Sequence, residues 1–446
     1  MNVATTISKT KAEQDLVDHF ANVRVGLPGD AKIAALRDAA IADFARLGLP
    51  HRRIEEWKYT DLRARLVDIP APTSGQDDTA AGIELTDLAL PLASLDAYRL
   101  VFVDGVLSDD LSTLPEIAGI EIRSFSEIAA EAPDWFTATI GTINPPEKDD
   151  AVVQLNAAFM TDGAVIRVEN GTIIEKPIHL ISVLSAAKPG SVALRNVAIF
   201  GDRSQATLVE SFVSIGDAAQ YCNAVSEISL GAGAVLDHIK VQSESANVTH
   251  LSTWMTRIGA EAKYRAFQFT TGAALSRNQI FVRFDGEHAS ANVSGAAMLR
   301  GKQHCDTTLI VDYAVPHCDS RELFKLVLDD EARGVFQGKL VVRQGAQKSD
   351  GLQMAHALLL SETAEFDSKP ELEIFADDVV CGHGSTSGQI DEDMLFYLRS
   401  RGISEDEARG LLIAAFIGEA LELIENEDIR EVLIETVFNW FGDVSA

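Results

Sequence analysis

The spacing of apolar side chains changes twice along this chain, and each change predicts a different kind of structure. From Lys9 to Val23 and from Ala31 to Leu47 apolar residues recur three or four positions apart (Ile33, Leu36, Ala40 and Phe44 in the second run), the period of a helix with one buried face. Gly29-Asp30 supplies a start signal for the second run. His51 to Leu62 (HRRIEEWKYTDL) mixes charge with Trp57 and Tyr59. It predicts a surface helix whose long side chains lie over the two rings, the functional alternative being a recognition patch. Ile69 to Gly82, rich in Pro, Gly, Ser and Asp, reads as a linker or mobile loop. Residues 1–68 are therefore assigned to an N-terminal helical region and 69–94 to a linker.

From about Leu95 short β-like runs take over, and from Asn196 they repeat: a run, a corner, then a second alternating run. The corners at Gly201, Gly231, Gly259 and Gly286 are 30, 28 and 27 residues apart, and the same ruler continues to Pro316, Gly345 and Ala376 at intervals of 30, 29 and 31. Strand pairs between evenly spaced corners predict stacked rungs. One two-strand rung cannot bury its apolar face alone, whereas stacked neighbours form a continuous interior and satisfy each other's backbone groups. The predicted fold is mainly β: a right-handed parallel β-helix over 95–390, with N-terminal and C-terminal α-helical regions that cover or flank its two open ends.

After Gln389 the helical period returns. Asp391 to Arg401 is apolar on one face (Met394, Leu395, Leu398) and stops at Gly402; Ser404-Glu405-Asp406-Glu407 reads as a capping box opening a long helix through Leu411, Ala415 and Leu423. A last helix, Asp428 to Phe441, carries Leu433, Val437 and Trp440. This C-terminal helical region, 391–446, holds 14 acidic and 4 basic side chains, so it reads as a solvated face or as a dock for a basic partner.

Charge narrows the function classes. Lys+Arg 38 against Asp+Glu 67 gives a net charge of −29, which repels nucleic acid and anionic membranes. The first twenty residues have no apolar signal core and the longest apolar run, Leu411 to Ile417, is too short to span a bilayer, so a cytoplasmic location is expected. Cys222, Cys305, Cys318 and Cys381 are widely spaced with no CxxC, which predicts reduced thiols and neither a disulfide framework nor a complete four-cysteine cluster site.

The candidate chemistry lies in Cys381-Gly382-His383-Gly384. If this segment is extended, Cys381 and His383 share a face. A thiolate beside an imidazole suits iron, copper or zinc, but two ligands make only part of a site, and the rest must come from elsewhere, for instance another chain. The adjacent pairs His304-Cys305 and His317-Cys318 point to opposite faces of a strand and read as structural. Gly334 to Leu340 (GVFQGKL) superficially resembles a phosphate loop, but it has three residues between its glycines instead of four, and Leu340 replaces the Ser or Thr that meets magnesium; no nucleotide site is predicted.

Glu55 to Leu62 (EEWKYTDL), Pro316 to Val342, Ala346 to Gln353 and Leu358 to Ser404 resemble the SufB/SufD family of the SUF iron–sulfur cluster assembly system, and EEWKYT with CGHGSTSGQ is closer to its SufD branch. The resemblance implies a right-handed parallel β-helix, in agreement with the repeat. It implies a non-catalytic scaffold that pairs with SufB through the β-helix end and takes part in iron acquisition. A transient iron–sulfur cluster or iron would be shared with SufB, with His383 and Cys381 as this chain's metal ligands. It also implies binding of the ATPase SufC, which would hydrolyse the ATP, through the C-terminal helices, here Asp391, Leu395, Leu398, Glu407, Leu411, Leu412 and Phe416. Without SufB the free edge of the last rung permits a homodimer. The alternative function for a β-helix is a polysaccharide lyase or hydrolase, which needs clustered carboxylates along a groove; only Asp377 and Asp378 are adjacent here.

Overall fold

The computed structural model describes residues 9–73, 82–114, 117–143, 150–185 and 189–442. Most of the glycine- and aspartate-rich part of the expected linker, 74–81, lies outside the described residues. The first helices form where the period places them. α1 (Lys11–Val23) opens on Thr10, whose hydroxyl accepts the Glu13 N–H while the Glu13 carboxylate accepts the Thr10 N–H. α2 (Ala31–Leu47) opens on Asp30, which caps the Lys32 and Ile33 amides.

The expected surface helix at His51 to Leu62 does not form. The segment holds one 3-10 turn, Glu55–Trp57, and the single turn α3 (Leu62–Arg65). Trp57 is only 4% exposed, because the segment is a strap fastened across the β-helix and its aromatic ring faces inward.

β1 (Tyr98–Val103), β2 (Val106–Leu107) and β3 (Ile120–Ser124) lead into α4 (Phe125–Glu131), α5 (Asp134–Thr137) and α6 (Ala151–Phe159). The β-like reading from Leu95 onward does not anticipate these helices. Almost every side chain of α6 (AVVQLNAAF) is buried, and an element apolar all round has no period to distinguish it from a buried strand.

About eight two-strand coils follow among the described residues. They pair β4 (Ala164–Val168) with β5 (Ile178–Leu184), β6 (Gly190–Phe200) with β7 (Gln205–Ser214), β8 (Gln220–Leu230) with β9 (Val235–Gln242), and β10 (Val248–Ile258) with β11 (Lys263–Thr270). Next come β12 (Leu275–Phe284) with β13 (Ser290–Leu299), β14 (His304–Tyr313) with β15 (Asp319–Leu328), β16 (Arg333–Val342) with β17 (Asp350–Leu359), and β18 (Glu365–Ile374) with β19 (Val380–Gly388). Even-numbered strands from β4 stack in parallel into one sheet and odd-numbered strands from β5 into the other, which is the predicted parallel β-helix. Every corner of the sequence ruler falls between the two strands of its coil. At Gly286 a Cβ would stand 1.9 Å from the Ala260 nitrogen, so the stacked corners leave no room for a side chain there.

The main core fills the space between the sheets, from Leu100 and Ile166 to Leu340 and Ala357. The chain ends in α7 (Glu392–Ser400), α8 (Glu405–Leu421) and α9 (Glu427–Gly442). These helices lie along the flank instead of over an end: Ile413, Ile417 and Ala420 join a cluster with Val241, Phe267, Phe269, Met298 and Val327 on the outer face of the odd-numbered sheet. The N-terminal helices and α6 cover Ala193, Tyr221, Leu251 and Leu275 on the outer face of the other sheet.

The two ends of the β-helix consequently differ. At the first, the short antiparallel strands β2 and β3 pair with β1 and β4 and close the sheets. At the last, among the described residues, β18 pairs only with β16 and β19 only with β17. Two strands of 10 and 9 residues thus leave their outer backbone groups unpaired within the sheets. No helix among the described residues is long and apolar enough to cross a membrane.

Candidate functional site

Cys381 and His383 sit on β19, the free edge strand, at alternate positions of an extended backbone, and so on one face about 6.6 Å apart along the strand. The register carries that face into the β-helix interior. Cys381 stacks on Gly351, and Gly351 on Ser320; His383 stacks on Gln353, and Gln353 on Glu322. In inner coils these positions are sealed by the next coil. Over the last coil no further coil lies among the described residues, so Cys381 is only half-buried against the core and His383 is exposed. The open interior face continues through Ser385 and Ser387, both exposed.

A Cβ on Gly384 would lie 2.8 Å from the Met354 sulfur on the outer face, and one on Gly382 would make an ordinary contact of 3.5 Å with Leu352. The acidic corner before the strand is tied down: Lys348 donates its backbone N–H to the Asp378 carbonyl and its ammonium to the Asp378 carboxylate, while the Gln347 side chain accepts the Asp378 N–H.

Behind the edge lies a polar chamber that sequence reasoning missed. Tyr313 and Ser320 hydroxyls bond one another below Cys381, in space that a Cβ on Gly351 would close at 2.7 Å from the Tyr313 oxygen. Glu322 is almost fully buried, with the Ser320 hydroxyl as its polar neighbour. Burial pushes its carboxyl up to about 8. Burial also raises the Cys381 thiol, with Asp350 and Glu322 adding to it and the Gly351 amide opposing it. The thiol therefore stays protonated until a metal or a partner's positive charge displaces the proton.

The position of Glu322 carries a pH signature. An unfolded glutamate titrates near 4.3, so between that pH and about 8 the native chain holds a proton that the unfolded chain has released. Its stabilisation is complete below that window and is lost as pH rises through it, at up to about 1.4 kcal/mol per pH unit. Glu322→Gln is expected to flatten the decline of melting temperature between pH 5 and 8; an unchanged slope would show that this carboxyl is ionised in the native chain.

The seven residues expected to bind a partner through the C-terminal helices separate into two groups. Leu395 is buried, and Leu398, Leu412 and Phe416 pack against the flank cluster, Phe416 beneath the Lys325 ammonium. Asp391 caps α7 by accepting the Asp393 and Met394 amides. Glu407 and Leu411 face outward. The apolar side chains that α7 leaves bare are instead Met394, Phe396 and Tyr397, 51%, 74% and 52% exposed. A helical period marks which residues share a face; whether that face is turned to the β-helix is set by packing.

His304 and Cys305 diverge as alternation requires, His304 outward to the Thr60 hydroxyl and Cys305 inward to the core. Gly334 to Leu340 lies within strand β16, where Gly338 makes room for the Gln353 side chain, and so does not form a loop at a helix start.

Residues 183–416 match the family described as SUF system FeS cluster assembly, SufBD core domain, and residues 10–180 match the SufBD protein N-terminal region. The chain is 32% identical over 430 residues to an iron–sulfur cluster assembly SufBD family protein of Synechocystis, covering 94% of this chain and 93% of that one. It is also 32% identical to the iron–sulfur cluster assembly protein SufD of Escherichia coli, covering 88% and 89% of the two chains. SufD of Bacillus subtilis is 27% identical over 86% and 88%.

Proposed function

The chain belongs to the SufBD family of the SUF iron–sulfur cluster assembly system, and from that membership we propose that it is a scaffold subunit that pairs with SufB through its open last coil. The observation that carries this reading is the contrast between the two ends of the β-helix: one closed by short antiparallel strands, the other ending in two long unpaired edges beside Cys381 and His383. A partner β-helix with a matching edge extends both sheets and covers the exposed interior face. His383, with Cys381 beside it, then supplies two ligands for iron or a nascent cluster, and SufB supplies the rest. In this reading iron acquisition is part of the role, and without SufB a second copy of this chain takes the same edge. Location in the cytoplasm fits the acidic composition and the reduced thiols.

SufC, which would hydrolyse ATP, is assigned to the C-terminal helices through Met394, Phe396, Tyr397 and Leu411 on a strongly acidic surface. Deleting these helices is an unsuitable test, because they cover Phe267, Phe269, Met298 and Val327, and a truncated chain would expose that apolar flank. Point substitutions separate the two surfaces. On co-expression with SufB and SufC, size-exclusion chromatography is expected to yield one complex. Ser385→Lys with Ser387→Lys is expected to release SufB and retain SufC, and Met394→Glu with Phe396→Asp to do the reverse. Loss of neither partner from either variant would reject both assignments. The polysaccharide-degrading alternative keeps only fold analogy in its support.

A further inference from the structure

Far from the open edge, in the interior of the middle coils, three side chains with metal-binding atoms converge. Cys222 on β8 and His250 on β10 are register partners in neighbouring coils and point into the same interior column. Glu244 follows β9 at the corner before β10, where Gly272 lets the next coil approach; a Cβ on that glycine would lie 2.3 Å from the Glu244 carbonyl oxygen. All three residues are buried, and their sulfur, nitrogen and oxygen donor atoms lie within 4.8 Å of one another. Glu244 accepts from His250 Nδ1 at 3.1 Å and from Gln242 Nε2 at 2.6 Å.

Two polar atoms at this place are left over. His250 Nε2 and Gln242 Oε1 are buried with no hydrogen-bond partner among the described residues. Buried polar atoms are normally hydrogen-bonded, so a fully paired network is not the reason these residues meet.

We propose that Cys222, Glu244 and His250 form a metal site inside the β-helix, separate from the edge at Cys381 and His383, for a borderline divalent ion such as zinc, ferrous iron or cobalt. A mixed sulfur, nitrogen and oxygen donor set selects this class over magnesium or calcium. Bonds of about 2.0–2.3 Å in tetrahedral geometry require each donor to move by about 1 Å or less. The Gln242 amide oxygen or a water completes the coordination. On binding, the metal–sulfur bond forms as the Cys222 thiol proton leaves to solvent, and His250 keeps its Nδ1–H on Glu244 while its unpaired Nε2 turns to the ion. Because no surface reaches the site, the ion enters while the coils close during folding.

The test uses the full chain, without SufB or SufC, carrying Cys381→Ala and His383→Ala so that the edge cannot bind. Produced in medium supplemented with cobalt(II) and then desalted, it is expected to retain about one cobalt per chain with a thiolate-to-cobalt charge-transfer band. Adding Cys222→Ala is expected to abolish the band, and His250→Gln to lower retained cobalt at least about tenfold. Absence of cobalt in the edge variant, cobalt without a thiolate band, or a band that survives Cys222→Ala would each overturn the site. The first two outcomes are read on chains with an intact interior, so a misfolded Cys222 variant does not protect the proposal. SufB pairing plays no part in this measurement, so its result is independent of the scaffold reading.

Discussion

His383→Ala is expected to leave the chain folded and paired with its partner while cluster formation in a reconstituted SUF system falls at least about tenfold. The expectation follows from position. His383 is exposed on an edge strand, and truncating an exposed side chain away from packing changes stability by no more than about 0.5 kcal/mol. Its neighbours Gly382 and Gly384 and its register with Gln353 are backbone features that the substitution leaves in place. The loss should therefore appear in cluster yield and not in melting temperature or co-elution with SufB. Cys381→Ser is the informative companion: the half-buried thiol is held protonated by burial, so its loss should cost less than loss of the imidazole. A normal cluster yield from His383→Ala would remove the assignment of this edge as a metal site.

Arg277→Met is expected to be the most destabilising single change in the strap region, at about 3–5 kcal/mol, because it leaves Asp306 buried without its cation. The strap spans successive coils of the even-numbered sheet. Arg277 on β12 donates to the Glu56 carbonyl at 2.8 Å, covers the Trp57 ring and pairs with Asp306 at 2.5 Å. On β14, His304 and Asp306 both meet the Thr60 hydroxyl; Gln337 on β16 donates to the Glu56 carbonyl; Lys369 on β18 pairs with Glu55. Losing Arg277 removes the first anchor of this row, the one that holds both the Glu56 carbonyl and the Trp57 ring. Denaturant unfolding should show the loss, and tryptophan emission should shift red in the native state as Trp57 meets water. Asp306→Asn on top of Arg277→Met should recover part of it, since removing both charges is far less costly than stranding one. No recovery would mean that packing on Trp57, and not the ion pair, holds the strap.

Much of the architecture was legible because it is periodic. The corner ruler from Gly201 to Ala376 places every first-to-second strand turn of its coils, since in a solenoid each coil repeats the steric problem of the one before. Asp30 and Ser404 cap their helices through side chains acting within three residues of themselves. The same local reasoning failed at His51 to Leu62. Trp57 is buried by Arg277, which lies more than two hundred positions away, and no local period reports such a partner. It failed again at α6, where burial on all sides erases the period.

The candidate site divides along the same line. That Cys381 and His383 share a face follows from strand alternation, and that they are an incomplete ligand set follows from counting; both belong to the chain order alone. That the face is open rather than sealed depends on which strand comes last in each sheet. The same dependence brings Glu322 beneath His383 and sets Cys222 against His250, because residues far apart in the chain become neighbours only when coils stack in register. Local chemistry sets period, caps and facing of side chains through interactions a few residues long. Exposure, and the meeting of side chains from different coils, arise from long-range stacking, and only the folded chain decides them.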